Sequence, residues 1–203
     1  MGDLLMKLIF IRHGETEANN KGIYQGTCDY PLSNNGIIQN INLKSKLGQM
    51  NINKVYYSSL KRAKVTADMV FDFSKEDIKF LEEPAFNEID FGKWEGKDYR
   101  YIDLNYHDEF QNFIKDYRTF MFPEGESFKA FYSRVSLGIE KIISESKGEE
   151  IVAVVAHGGT IRAAICYLLS LGHEAFYKFN INHGCYTLFT IYDESAVLEV
   201  LNG

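Results

Sequence analysis

Cysteine is scarce in this chain: three in 203 residues, Cys28, Cys166 and Cys185. An odd number at wide spacing excludes a disulfide framework, and the lack of any Cys-x-x-Cys pair excludes a zinc ribbon or a dithiol redox motif. Reduced thiols are the expectation, and with them a cytoplasmic protein. Long apolar runs are missing too. Nothing approaches the roughly 18 residues of a membrane-spanning helix, so no membrane partner is expected. The run at Leu4–Ile11 is too short for a secretory leader and passes straight into a polar motif, so no signal segment is expected. Positive charge is in deficit, 22 Lys and Arg against 28 Asp and Glu, for a net charge of −6. A general nucleic-acid-binding surface is therefore excluded. An anionic ligand would have to be drawn in by a local cluster of cations. P-loop, Gly-x-Ser-x-Gly and His-Glu-x-x-His motifs are absent. So are internal repeats and low-complexity tracts, and no pattern specifies an oligomeric state.

Against these absences stands an ordinary globular composition, 45% hydrophobic and 25% charged, in a chain long enough for one substantial core and short for two. One domain spanning residues 1–203 is the expectation. Strand-like and helix-like stretches alternate. Leu5–Ile11 reads as a strand. Ser33 caps a helix through about Met50, with Ile37, Ile41, Leu47 and Met50 at inward spacing. Asn53–Ser58 predicts a short strand, Leu60–Phe73 a helix and Ile78–Leu81 a third strand. Ser127 opens a helix with Phe128, Phe131, Val135, Ile139 and Ile142 on one face. Ile151–Ala156 is apolar without alternation, as in a strand covered on both faces. Thr160–Leu171 predicts a helix, and Tyr186–Tyr192 with Val197–Leu201 a hairpin across Asp193-Glu194-Ser195. Alternation of this kind specifies an α/β fold with a mostly parallel central sheet flanked by helices. Residues 94–125, irregular and rich in aromatics, predict a helical lid.

Ligands of such sheets bind at the carboxyl ends of strands, and two motifs sit there. Arg12-His13-Gly14-Glu15-Thr16 follows the first strand, and His157-Gly158-Gly159 follows Ile151–Ala156. A lone histidine at a strand end is by default structural. Two of them on neighbouring parallel strands, one beside an arginine, suit a phosphoryl group passing through a phosphohistidine. Imidazole is nucleophilic near neutral pH and leaves again as a neutral ring. His13 is then the candidate nucleophile, its other nitrogen held by a backbone carbonyl. Arg12 offers planar donors to phosphoryl oxygens. His157 is the candidate electrophilic partner, and Gly158 and Gly159 open a helix whose free N–H groups favour an anion. Arg62, in Tyr57-Ser58-Ser59-Leu60-Lys61-Arg62-Ala63, is a candidate second guanidinium, although alone it reads as a solvated helix residue. Glu88, Asp90 and Glu95 are competing candidates for a general acid, and spacing does not choose among them. Asn19, Gln25 and Gly26 offer uncharged donors to phosphate or substrate. Ser127 reads first as a helix cap. His107, His173 and His183 lack metal-ligand spacing and read as surface or packing residues.

Taken in order, Arg12–Asn19, Tyr24-Gln25-Gly26 with Asp29, Pro31-Leu32-Ser33 and Gly36, Tyr57–Ala63, Asn87–Gly96 and Val155–Gly159 resemble the histidine phosphatase superfamily in its phosphoglycerate-mutase-like branch. The resemblance implies a three-layer sandwich. It implies that His13 is phosphorylated, that Arg12, Arg62 and His157 complete the phosphate pocket, and that Glu88 is the proton donor. It further implies a small-molecule phosphate ester as partner and no metal or organic cofactor. Within the superfamily, Glu88–Gly96 and Gly125–Val135 are most similar to α-ribazole phosphatases of cobalamin nucleotide-loop assembly. That implies a phosphomonoesterase acting on α-ribazole 5′-phosphate, with a broad-specificity or sugar-phosphate phosphatase as the alternative. A phosphoglycerate mutase or a non-catalytic phospho-ligand binder fits less well.

Overall fold

The computed structural model describes residues 3–146, 148 and 150–203. Six strands form one sheet: β1 (Leu4–Arg12), β2 (Lys54–Tyr57), β3 (Lys79–Glu82), β4 (Glu150–Ala156), β5 (Tyr186–Tyr192) and β6 (Ser195–Val200). Their order is β3-β2-β4-β1-β5-β6. β1, β4, β2 and β3 run parallel, and β5 and β6 close the sheet as an antiparallel hairpin. The apolar run of β4 lies in the middle because each neighbour hides one of its edges and helices hide both faces. Val152 through Ala156 have no exposed surface.

Strand geometry sends alternate side chains to opposite faces, and each face has its own packing layer. Met6, Leu8, Phe10, Val152 and Val154 meet the helices α6 (Phe128–Glu145) and α7 (Gly158–Leu168). Ile9, Ile11, Val55, Ala153 and Val155 meet α2 (Asn34–Leu47) and α3 (Lys61–Phe71). The result is the expected sandwich. Phe131, Val135, Ile139 and Ile142 point inward from α6 as their spacing predicts. Ser33 and Ser127 both cap their helices, accepting from Gly36 N and Ala130 N.

Several boundaries and faces differ from the sequence reading. The inward stripe of α2 is Gly36, Asn40, Leu43 and Leu47. Ile37 and Ile41 are exposed at 39% and 58%, and half-buried Met50 lies beyond the end of the helix. The cause is local. A Cβ on Gly36 would come within 2.1 Å of Glu15 O, and Asn40 Nδ2 donates to Thr66 Oγ1, so close backbone approach and polar bonding orient this helix. Residues one position on are rotated by about 100°. α7 starts at Gly158, so the glycine pair forms its first turn ahead of the apolar pattern that begins at Thr160, with His157 at its N-cap. It ends at Leu168, ahead of positive-φ Ser170 and Gly172. The hairpin turn is Asp193-Glu194, so Ser195 pairs with Tyr192. A short helix α1 (Glu17–Asn20), closed by a Thr16–Asn19 capping box, was not visible in the apolar pattern.

Within residues 94–125 the chain forms α4 (Tyr99–Asn105) and α5 (His107–Lys115). Aromatic rings from this stretch surround the buried Trp94, with Phe110, Phe113, Phe120 and Phe122 at centroid distances of 5.2–5.8 Å. Edge-on contacts of this kind add to area burial.

Candidate active site

The parallel pairing of β1 and β4 sets Arg12 opposite Ala156, so the next residues, His13 and His157, leave the sheet side by side. His13 N–H donates to Ala156 O at 3.1 Å. The two rings lie 5.1 Å apart, tilted by 58°, and both are buried. His13 Nδ1 lies 2.8 Å from Gly14 O. A carbonyl can only accept, so Nδ1 carries the hydrogen and Nε2 keeps its lone pair. Burial, then the Arg62 and Arg12 guanidiniums, pushes the His13 pKa well below the usual imidazole range. The same causes, with His13 added, depress that of His157. Both rings are neutral at physiological pH, the form needed for attack.

Arg62 emerges in the first turn of α3 with 1% of its surface exposed, so the reading as a solvated residue fails. Its guanidinium is held on every side. One terminal nitrogen donates to Gly26 O (2.7 Å) and Gln25 O (3.3 Å), the other to Cys28 O (2.9 Å), and Nε to His157 Nδ1 (3.2 Å). Arg12 donates from one terminal nitrogen to Ile181 O, while its buried Nε has no partner. Burial lowers the Arg12 pKa to about 10, with Glu88 opposing that shift and Arg162 and Arg62 adding to it. A buried donor without a partner is costly, and one at this position offers a bond to an incoming oxygen.

Among the three acids only Glu88 reaches the cavity. Its Oε2 accepts from Gly159 N at 2.8 Å and its Oε1 from Ile89 N at 3.0 Å. Asp90 turns back to Gly92 N. Glu95 gathers the N–H groups of Gly26, Thr27, Cys28 and Phe91. The glycine at 159 is required by this docking, since a Cβ there would stand 2.3 Å from Glu88 Oε1.

Asn19, Gln25 and Gly158 line the same cavity of about 280 Å³. Gln25 Oε1 is engaged by the Thr16 hydroxyl at 2.7 Å, and its buried Nε2 has no partner. Asn19 has its Oδ1 committed to Thr16 N. Gly26 is a correction. Its N–H is taken by Glu95 and its carbonyl by Arg62, and a Cβ would lie 2.0 Å from Ile89 O. It is a close-approach glycine that shapes the loop rather than a donor to a ligand. Ser127 lines a separate cavity with Glu126 and Arg134.

Arg162 and Ser58 escape the sequence reading, and His183 takes the packing half of its surface-or-packing expectation. Arg162 lies four residues past Gly158, on the same helical face, and enters the cavity. Its Nε donates to Phe179 O at 2.9 Å, and its guanidinium sits 5.6 Å from the Tyr177 ring centroid. The spacing from the glycine pair was the available signal. His183 is not a surface residue: its ring packs 5.7 Å from that of His13, and burial lowers its pKa to about 3. Ser58 lies 2.7 Å from His157 Nε2. His107 is exposed beside Asp103, and His173 packs on Tyr132 and Phe128, as expected. Among the described residues no group of three His, Cys, Asp or Glu side chains is disposed to hold a metal ion.

Chemically the arrangement offers a neutral imidazole lone pair and a buried second guanidinium packed together at the strand ends, next to a small cavity lined by Arg12, Glu88 and the N-terminus of α7. Residues 8–203 match the family described as the histidine phosphatase superfamily (branch 1). The chain is 33% identical to an adenosylcobalamin/alpha-ribazole phosphatase of Escherichia coli, over 97% of this chain and 96% of the relative. It is 29% identical to phosphoserine phosphatase 1 of Hydrogenobacter thermophilus, over 98% and 92%. The crystal structure of the alpha-ribazole phosphatase from Shigella flexneri superposes with a TM-score of 0.90 at 32% identity, over 98% of this chain and 96% of that one.

Proposed function

This chain belongs to the histidine phosphatase superfamily and is a phosphoric monoester hydrolase, and from that premise we propose how its residues divide the work and which ester they serve. In the first step His13 Nε2 attacks phosphorus in line. The N–P bond forms, the P–O ester bond breaks, and Glu88 delivers a proton to the departing alkoxide. In the second step Glu88, now a carboxylate, takes a proton from water. The resulting hydroxide attacks phosphorus, and the N–P electron pair returns to His13. Arg12, Arg62, His157 and the N-terminus of α7 at Gly158 hold the phosphoryl oxygens, with Gln25 and Asn19 at the rim. Preorganised donors of this kind act on charge that grows in the transition state.

The observation that carries this reading is the pairing of Arg12 with Ala156, which places both imidazoles against Arg12 and Arg62. His13→Ala is expected to cut turnover on the order of 10⁴-fold with an unchanged circular dichroism spectrum. The wild-type protein, quenched during turnover, should carry an acid-labile phosphoryl group that the variant lacks. Full activity in the variant would overturn the scheme.

The favoured substrate is α-ribazole 5′-phosphate. Beyond the phosphate pocket the cavity is lined by Tyr24, Phe91, Phe113, Phe122, Phe128, Phe176 and Tyr177, a lining that suits the flat benzimidazole of that nucleotide. Residues 94–125 supply Phe113 and Phe122 and serve as the lid of a single domain. Arg162 favours a second reading, a leaving group with a carboxylate such as phosphoserine. A panel of α-ribazole 5′-phosphate, phosphoserine, 3-phosphoglycerate, fructose bisphosphate and nitrophenyl phosphate decides between them. A kcat/KM higher by orders of magnitude for the first supports the nucleotide, and a flat profile supports broad specificity. A cytoplasmic setting belongs to the same reading, in keeping with the three free thiols.

A further inference from the structure

Arg134 stands on α6, and its N–H groups are spent on Glu126 and on the segment that carries Glu88. Nη1 donates to Ala85 O at 2.9 Å and to Asn87 O at 2.8 Å, and Nη2 to Glu88 O at 2.9 Å. Nε and Nη2 grip the two oxygens of the Glu126 carboxylate at 2.8 and 2.9 Å, a bidentate fork. The guanidinium lies 5.0 Å from the centroid of the buried Phe131 ring, which supports its plane. Among the described residues no other donor bonds Ala85 O or Glu88 O. Glu126 holds the same segment from beyond Glu88, its own N–H donating to Asp90 O at 2.9 Å. Gly125 permits that approach, since a Cβ there would stand 2.5 Å from Asp90 O. One mostly buried ion pair thus ties the backbone on both sides of the acid.

We propose that Arg134 and Glu126 are positioning residues for Glu88, and that the Arg134 fork sets where the carboxyl group stands relative to the departing oxygen. The proposal rests on the reading of Glu88 as the general acid. Both residues line a cavity of about 570 Å³ on the far side of Glu88 and neither lines the cavity of the ester, so they act through Glu88 alone. The other anchors do not replace them. Ile89 N belongs to the peptide that follows Glu88 and turns with it, so Gly159 N is the amide that holds the carboxyl group from outside. Thr160 Oγ1 makes long bonds to Phe86 O and Asn87 O, at 3.4 and 3.2 Å, and none to Glu88 O. Without the fork, the backbone of Asn87 and Glu88 rotates against that single anchor and swings the side chain. Asn87 O and Glu88 O are successive carbonyls aimed at one group, and their dipoles repel unless a cation lies between them. A planar guanidinium spans three carbonyls and a carboxylate, which the point charge of a lysine does not. Displacing a reacting group by about 1 Å costs on the order of 10²-fold in rate.

The test compares kcat of the full chain on two kinds of ester. One is nitrophenyl phosphate, whose leaving group needs little acid. The other is the faster-hydrolysed of α-ribazole 5′-phosphate and phosphoserine, both alkyl esters. Arg134→Ala should slow the alkyl ester on the order of 10²-fold and nitrophenyl phosphate far less. A purely structural role would lower the thermal midpoint and leave the ratio of the two rates alone. In a Glu88→Gln background the same substitution should slow the alkyl ester no further, because both changes disable one group. Millimolar guanidinium, entering the space vacated beside Glu126, should raise the alkyl-ester rate of Arg134→Ala and not that of Glu88→Gln. Ammonium at equal ionic strength should do neither. Glu126→Gln keeps the side-chain shape and should show the same split at smaller size; it carries the test if Arg134→Ala does not fold. Equal slowing of both esters in Arg134→Ala and Glu126→Gln overturns the proposal. So does a loss that multiplies with that of Glu88→Gln, or rescue by ammonium as strong as by guanidinium. If Glu88→Gln itself slows both esters equally, the acid assignment falls and the proposal with it. A split in Glu88→Gln without one in Arg134→Ala sinks the proposal alone.

Discussion

At the scale of single residues, the site is a matter of which hydrogen-bonding capacity is already engaged. Glu95 and Asp90 have the same chemistry as Glu88, yet Glu95 spends both oxygens on four backbone N–H groups and Asp90 its Oδ1 on that of Gly92, all away from the cavity. Glu88 is docked by two amides at the N-terminus of α7 and faces the ligand side. Replacing it with Gln keeps the shape and removes the transferable proton. Hydrolysis of alkyl phosphates should slow by about 10²–10⁴-fold, and that of nitrophenyl phosphate, whose leaving group needs little protonation, by far less. Steady-state rates on both esters check this, and equal slowing would remove Glu88 as the acid. His13, His157 and Arg12 were legible because they follow recognisable strands. Arg62 was legible only through the family resemblance, since helix position alone makes an arginine look solvated. Gly26 is misleading in sequence because a glycine demanded by close backbone approach, where a Cβ would stand 2.0 Å from Ile89 O, looks the same as one that offers an N–H.

At the scale of elements, apolar periodicity worked where apolar contacts set the orientation and failed where polar or backbone contacts did. α6 packs by its phenylalanines and aliphatics, and its face was read correctly. α2 is seated through Gly36 and Asn40, and its isoleucines were assigned to the wrong side. α7 hides a similar demand in its first turn. Gly159→Ala should leave the helix intact or strengthen it, because alanine is favoured over glycine by about 1 kcal/mol in a helix. The new methyl must nevertheless displace the Glu88 carboxylate, and misplacement of a reacting group by about 1 Å can cost on the order of 10²-fold in rate. Activity and thermal midpoint measured together test this. A loss of both would mean that the glycine serves packing rather than the carboxylate.

At the scale of the whole molecule, the buried imidazoles tie stability to pH. His13, His157 and His183 are all held neutral by burial, with folded pKa values below the ordinary one. Above about pH 6.5 neither the folded nor the unfolded chain protonates them, and their neutrality has no cost. Below it the unfolded chain takes up protons that the folded one refuses. Stability should therefore fall as pH drops from about 6.5, by up to about 1.4 kcal/mol per pH unit for each histidine. Urea midpoints at pH 7.5 and 5.0 would show the decline, and His183→Gln should make it shallower by one proton. A wild-type profile flat across that interval would contradict the neutral assignment.

The strand order has a consequence for how the chain comes into being. β4 is inserted between β1 and β2, yet it is made after α6, 138 residues beyond the end of β1 and 93 beyond that of β2. During synthesis β1 and β2 must wait with their inner edges open, and open edges are templates for pairing with other chains. The two histidines come together when one late apolar strand slides into the gap, and the other edge of β1 is covered only later still, by β5. A nascent or truncated chain ending before it would be both inert and adhesive.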